Sequence, residues 1–302
     1  MLITPAALRA LETTLSLQFQ MGYSESAIWH NKVAMTVPSS TKIATYGWMA
    51  RVAQLRQWIG ARVIENLQSH VYTLENQDFE LTIGVDRDDW EDENLGIYSA
   101  LFQEMGRSAA KWPDEIVKTA LQAGTSAVTF DGVPFFDTAH PLDPAGVQSN
   151  NFTGTALSSA TFASVRAAMM SYTGENGIPL GLMPNLLVVP PQLEVTARQI
   201  LNAEFIVGTE ASATGGNTNV FRGAADILVV PEIANEPTTW YLADTSRPVR
   251  PLLFQQRKAP EFVAKTQPIN DNVFFDREFL WGVDSRGAAG YSLWFLMARA
   301  IA

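Results

Sequence analysis

The chain has 302 residues, 47% of them hydrophobic but only 17% charged, with a formal net charge of −10 and no cysteine. That length is about two domains' worth and buries a core without staples, while the missing cysteines exclude thiol catalysis, disulfides and Cys-based zinc sites. The acidic balance argues against a dedicated nucleic-acid binder, and charge well under the usual roughly 25% suits a surface spent on contacts with other copies. No apolar run reaches the ~18 residues of a membrane helix. The opening residues lack a basic stretch followed by an apolar one, so no signal peptide is read and synthesis in the cytosol is expected.

Residues 4–22 predict an amphipathic helix. Thr4 can cap it, Pro5 suits its first position, Leu8, Leu11, Leu15 and Phe19 recur at helical spacing, and Gly22 is read as its end. From there to about residue 70 the chain is aromatic without a clean period: Tyr23, Trp29, Tyr46, Trp48 and Trp58. Ordinary core and packing on a neighbour both remain open for these rings. Residues 53–67 could hold a short helix interrupted at Gly60.

In the next stretch Phe79, Leu81, Ile83 and Val85 alternate with polar residues or glycine, the pattern of a half-buried strand. Residues 71–75 are a candidate partner across the polar turn at 75–78, so 71–86 is read as a hairpin. A long helix is predicted over 94–123, about 45 Å at 1.5 Å per residue. Asp92 or Asn94 would cap it, and Tyr98, Leu101, Phe102, Met105, Ala109, Trp112, Ile116, Val117, Ala120 and Leu121 form its stripe. Pro113 allows a kink or a break and restart.

The remainder mixes strands and helices. A strand or hairpin is expected around Asp131-Gly132, then a polar loop over 138–157 and a helix with Phe162, Val165, Met169 and Tyr172. A buried strand precedes Pro190 and Pro191, which open a helix with Leu193, Ala197, Ile200 and Leu201. Six further strands are read from residue 225 to the end, among them 250–257 and 261–267. No repeat period appears, and the class is α+β.

The catalytic-looking residues gather at Asp131, Asp137 and His140. An Asp-x-x-His pair can place two metal ligands together, but a site needs a third ligand and support behind it. The plainer reading is that Asp137 and His140 hydrogen-bond a turn before Pro141. His30 and His70 lie in unrelated contexts. There is no nucleophile elbow, P-loop or dinucleotide fingerprint, and Gly215-Gly216 reads as loop flexibility. The acidic run from Asp86 to Glu93 lacks calcium-loop spacing and reads as a hairpin end leading into a helix. Nothing here looks like an active site.

The order of segments is more telling. A helical arm, a long two-stranded excursion, one very long helix and a mixed body follow each other. That order is similar to the Hong Kong 97-type capsid fold of tailed bacteriophages, and more closely resembles the Mu-like phage major head subunit (protein T) family. Residues 45–62, 72–98, 131–141, 185–201, 225–233 and 250–263 carry the resemblance, each weakly and together, in order, strongly.

The resemblance implies an N-arm over 1–35 and an extended loop, a β-hairpin, over 36–92. It implies a peripheral domain with a spine helix over 93–180 and 250–302, and an axial domain over 181–249. It also implies no enzymatic activity, no cofactor and no metal. The expected partners are further copies of the chain, as pentamers and hexamers of an icosahedral shell around double-stranded DNA. A separate scaffold or protease, a portal and a decoration protein are expected too, with only non-specific proximity to the DNA and no membrane. The place of action would be the virion, after synthesis in the host bacterial cytoplasm.

Tyr46, Trp48, Arg51, Arg56, Trp58 and Arg62 are residue types enriched at interface hot spots, and are expected to meet a neighbour's Asp88, Asp89 or Glu91. No motif assigns a crosslinking Lys–Asn pair. The alternatives are an encapsulin-like nanocompartment and, further off, a metal-dependent hydrolase using Asp137 and His140.

Overall fold

The computed structural model describes residues 5–49, 69–91, 96–142, 146–174, 177–206, 217–267 and 269–302. Helix α1 spans Pro5–Glu25 and α2 His30–Val33. Strands β1 (Ala34–Pro38), β2 (Ile43–Met49), β3 (Ser69–Glu75) and β4 (Gln77–Asp86) follow, then α3 (Arg87–Glu91) and α4 (Gly96–Ala123). Three short strands come next: β5 (His140–Leu142), β6 (Gly146–Gln148) and β7 (Asn151–Thr153). Then come α5 (Ser159–Met170), β8 (Leu186–Val189), α6 (Glu194–Leu201), β9 (Phe205–Ile206), β10 (Asn217–Thr218), β11 (Asp226–Val229) and β12 (Thr239–Ala243). The long strands β13 (Leu252–Lys265) and β14 (Glu278–Tyr291) and the last strand β15 (Met297–Ile301) close the chain.

Two sheets organise these elements. The first has the order β1-β13-β14-β4, with β1 parallel to β13 and the other pairs antiparallel. Leu11, Leu15 and Phe19 of α1 and Phe102, Met105 and Ala109 of α4 form one core with Phe279, Trp281 and Val283 of β14. The helices meet at backbone contact. A Cβ on Gly22 would lie 2.0 Å from the Gln103 carbonyl oxygen, and one on Gly106 would lie 2.1 Å from that of Phe19. Gly22 therefore does not end α1, as its position in the sequence suggests. The helix runs on to Glu25, and the close crossing offsets the roughly 1 kcal/mol that a mid-helix glycine costs.

The second sheet has the order β11-β8-β12-β15-β7. Strands β8 and β12 are buried along their whole length, and α5 and α6 pack Phe162, Val165, Met169, Ala197, Ile200 and Leu201 into the same core. Because β7 and β15 pair into this sheet, its hydrogen bonds join residues 181–249 to segments outside that range.

Helix α4 is one element of 28 residues with Pro113 inside it, rather than a break and restart. The next residue, Asp114, is buried and accepts hydrogen bonds from the Trp29 and His30 amides and the His30 ring. It thus ties the segment after α1 to the middle of α4. The caps expected at Asp92 and Asn94 lie outside the described residues.

The expected 71–86 hairpin does not form. Strand β3 pairs with β2, from Ile43↔Glu75 to Met49↔Ser69, and β4 pairs with β14. Only Asn76 separates β3 from β4, which is shorter than the two-residue minimum of a hairpin loop. Its buried side chain instead donates to Ser39 and to the Thr41 and Lys42 carbonyls, holding the 39–42 loop so that β2 enters opposite β3. The two strands read at 250–257 and 261–267 are also one, β13, with register shifts on either side of Lys258. Around Asp131-Gly132 there is a turn with a single Val128↔Pro134 bridge.

Candidate assembly surfaces

The imidazole of the segment that carried catalytic-looking residues is sealed inside the protein. His140 is fully buried and lies flat on Trp294, ring centroids 4.1 Å apart at 6°. Its Nδ1 is 2.6 Å from Asp131 Oδ2 and its Nε2 is 3.0 Å from Asn150 Oδ1. The Asn150 amide is itself fixed, because Nδ2 donates to the Phe135, Trp294 and Met297 carbonyls. Burial pushes the Asp131 carboxyl up, but the hydrogen bonds from His140 and Thr129 outweigh it and hold the group below its ordinary range.

Asp137 does not pair with His140. It accepts from the Ala139 amide at 2.8 Å, so it stabilises the turn, and the imidazole's partner is Asp131. Both ring nitrogens are committed to protein oxygens, which removes the basis for the Asp137–His140 hydrolase. Among the described residues no group of three or more His, Asp or Glu is placed to hold a metal.

The β2–β3 ribbon is rooted on its own subunit. The Tyr46 hydroxyl donates to Gln255 Oε1 at 2.6 Å, and Gln255 is fully buried. Burial, with a smaller effect of Tyr72, raises the Tyr46 pKa above its ordinary value. Opposite Tyr46, Tyr72 meets the Tyr291 ring edge-on at 6.5 Å, with its hydroxyl where a Cβ on residue 290 would lie 2.8 Å away. Gly290 is thus a notch for the tyrosine. Tyr46, expected at a neighbour's surface, is placed by these contacts at the ribbon's own root. Trp48 lies further out along the ribbon, opposite His70. Arg51, Arg56, Trp58 and Arg62, with the helix expected at 53–67, lie outside the described residues.

The acids expected to face a neighbour sit on α3. Asp88 is exposed and 3.8 Å from Arg277. Asp89 accepts from the Tyr98 hydroxyl at 2.5 Å, and that bond with the adjacent carboxylate pushes the Tyr98 pKa up to about 12. Asp89 therefore already has a partner within its own chain. Glu91 ends α3.

Sequence reading missed one surface altogether. Phe274 and Phe275, which look like part of a strand, lie on a π-helical turn between β13 and β14 with their rings in solvent. No periodicity signals this, because a short apolar run is ordinarily a buried one.

Comparison with known proteins accounts for the whole arrangement. The family model described as Mu-like prophage major head subunit gpT matches residues 8–156, 151–233 and 232–301. The chain is 34% identical to the major capsid protein of Escherichia phage Mu over 97% of its own length and 73% of that protein's. It is 29% identical to the Mu-like prophage FluMu major head subunit of Haemophilus influenzae, covering 99% of this chain and 74% of the other. Among solved structures it resembles a subunit of the bacteriophage JBD30 procapsid, with a TM-score of 0.61 and 31% identity, covering 99% of this chain and 76% of that one. A long helix braced by a sheet of long strands, a projecting ribbon and a separate mixed sheet are thus the parts of a Hong Kong 97-type capsid fold, and the chain belongs to the Mu-like major head subunit family.

Proposed function

We propose that the chain builds the icosahedral head of a Mu-like phage or prophage, as pentamers and hexamers around double-stranded DNA, and performs no catalysis. The observation that carries this reading is the family match along nearly the whole chain. A separate scaffold or protease would guide assembly, a portal would occupy one vertex, and a decoration protein would bind the finished shell. The four-stranded sheet with α4 would be the peripheral body, and the five-stranded sheet the body nearest the five- and six-fold axes. Residues 1–35 would contain the arm, and residues 36–92, which include the β2–β3 ribbon, the extended loop.

In this reading Trp48, Arg51, Arg56, Trp58 and Arg62 would meet a neighbour, where the exposed Asp88 offers a carboxylate. Net acidity suits a container that must not bind its contents tightly. The test is expression with and without the scaffold gene of the same phage, followed by light scattering and electron microscopy. Shells of megadalton mass are expected. A monomer or dimer under both conditions would overturn the proposal.

A further inference from the structure

A cleft of about 610 Å³ opens between α2, the first residues of β8 and β11, and the loop that leads into β13. That volume lies within the roughly 300–1,000 Å³ of small-ligand sites. Leu186 and Ile227 give it an apolar floor, and Asn31, Lys32, Asp226, Thr245 and Arg250 give it polar walls. Each wall is held from behind. Asp114 accepts from the Trp29 and His30 amides at 3.1 and 2.8 Å, which fixes the turn of α2 that carries Lys32. Arg250 donates through Nη1 to the Thr245 carbonyl, and its own carbonyl accepts from the Ser292 hydroxyl. Asn185 sets the third side. Its carbonyl accepts from the Asp226 amide at 2.8 Å, and its Oδ1 accepts from the Thr245 amide at 2.8 Å and hydroxyl at 3.1 Å. Among the described residues no ion pair engages Lys32, Arg250 or Asp226, so three charges face the cleft unspent.

We propose that this cleft binds a free mononucleotide, with its 5′-phosphate between Lys32 and Arg250, a sugar hydroxyl on Asp226 and Thr245, and its ring on the apolar floor. The site does not depend on the shell reading, because every wall belongs to one subunit. An ammonium and a guanidinium are suited to phosphate oxygens, and Arg250 keeps further N–H donors beyond the one it gives to Thr245. Asp226 repels a bare anion, so the ligand must also bring a hydrogen-bond donor to that carboxylate. The Thr245 hydroxyl gives its proton to Asn185, which leaves its oxygen as a second acceptor. An anion at one end and a hydroxyl donor at the other is the pattern of a nucleotide with its 3′-hydroxyl free. In a nucleic-acid strand that oxygen is esterified, and a second phosphate would face Asp226. The cleft therefore selects the free nucleotide over the strand.

The test is calorimetric titration of the purified full chain with thymidine and deoxyadenosine 5′-monophosphates, with melting temperature as a second readout. At least one of the two should bind saturably, one per chain, and raise the melting temperature. The corresponding nucleoside, the 3′,5′-bisphosphate and a short unphosphorylated oligonucleotide should each bind at least tenfold more weakly. Lys32→Gln should weaken the monophosphate at least fivefold. Asp226→Asn should narrow the preference for monophosphate over bisphosphate at least fivefold. Both side chains are exposed, so circular dichroism without ligand should not change in either variant. No saturable binding of either monophosphate at millimolar concentration would overturn the proposal. Bisphosphate or oligonucleotide binding as tightly as the monophosphate would also overturn it, by showing plain attraction of anions to two cations. This comparison of ligands on the wild type decides the matter even where a variant is unstable, and neither result bears on shell formation.

Discussion

His140 lies parallel to Trp294, ring on ring at 4.1 Å, so the one imidazole that looked available for chemistry is a packing element of the core. Its two nitrogens join Asp131, near the end of α4, to Asn150, which in turn holds the carbonyls around β15. This polar knot connects segments far apart in sequence. Buried polar groups of this kind are worth little when complete and cost much when one member is removed.

Replacing His140 with alanine should therefore destabilise the subunit by about 2–4 kcal/mol, from the cavity and the stranded Asn150 and Asp131 groups. Elemental analysis of wild type and variant should give the same sub-stoichiometric zinc and manganese. One metal per chain in the wild type, lost in the variant, would restore the hydrolase reading.

The same knot predicts an acid dependence. Asp131 has a folded pKa below its ordinary value of 3.8, so its contribution is fully present above the ordinary carboxylate range and is lost as pH falls through the folded value. Asp131→Asn should cost about 2 kcal/mol at pH 6, the range for a hydrogen bond to a charged group. The gap between the two proteins should then close as urea midpoints are followed from pH 5 downward through 3.8. A gap that stays constant across that window would show that the carboxylate charge is not what holds His140.

Tyr98 carries a prediction at the other end of the scale. Asp89 beside its hydroxyl pushes the phenol from 10.0 up to about 12. A raised value means the bond is intact below pH 10 and is lost as pH rises through the folded value. In absorbance titrations at 295 nm, the difference between wild type and Tyr98→Phe should appear near pH 12 and be absent near pH 10. A difference centred at 10 would mean that the Tyr98–Asp89 bond does not form in solution.

The crossing of α1 and α4 can be tested at Gly106. A methyl there meets the Phe19 carbonyl and, at 2.8 Å, the Tyr23 amide, so the helices must separate. Gly106→Ala should cost about 1–3 kcal/mol, the usual range for overpacking, although alanine is the better helix former. Gly47→Ala is the control, because a Cβ at Gly47 meets nothing within 4 Å. Denaturant midpoints for both variants should differ in that order. Equal midpoints would mean that the helices slide apart at no cost.

The ribbon should divide into a root that serves its own subunit and an outer part that serves a neighbour. Tyr72→Ala, which empties the Gly290 notch, should lower the subunit's melting temperature as well as particle yield. Trp48→Ala with Trp58→Ala should leave the subunit's circular dichroism intact and abolish particles, with about 2–4 kcal/mol lost per contact as for interface hot spots. Loss of folded signal in step with particles would place both tryptophans in the subunit's own core.

Much of this protein can be read along the chain. The stripe from Phe102 to Leu121 repeats at helical spacing, and a 28-residue helix forms there despite Pro113, because Val117, Ala120 and Leu121 stay in register with the core. The alternation from Phe79 to Val85 names the face of β4 that holds its buried and half-buried residues, with Leu81 left exposed, and Leu186–Val189 announces a strand covered on both sides. Periodicity is a local property, so it survives without knowledge of the neighbours.

Partners are a different matter. Alternation says which face a strand buries and nothing about which strand lies beside it, since every backbone edge offers the same donors and acceptors. The swap of β3 from β4 to β2 was decided by Asn76 binding the loop ahead of β2. Gly22 reads equally well as a helix stop or a close approach until the Gln103 backbone is beside it. Asp131 and Asp137 are equivalent candidates for His140 until a turn brings one to the ring and spends the other on the Ala139 amide. The long helices, the half-buried and fully buried strands and the class were determined by the sequence alone, because they depend on spacing between near neighbours; strand order, the choice among like residues and the outward aim of Phe274 and Phe275 were decided only when distant segments closed on one another.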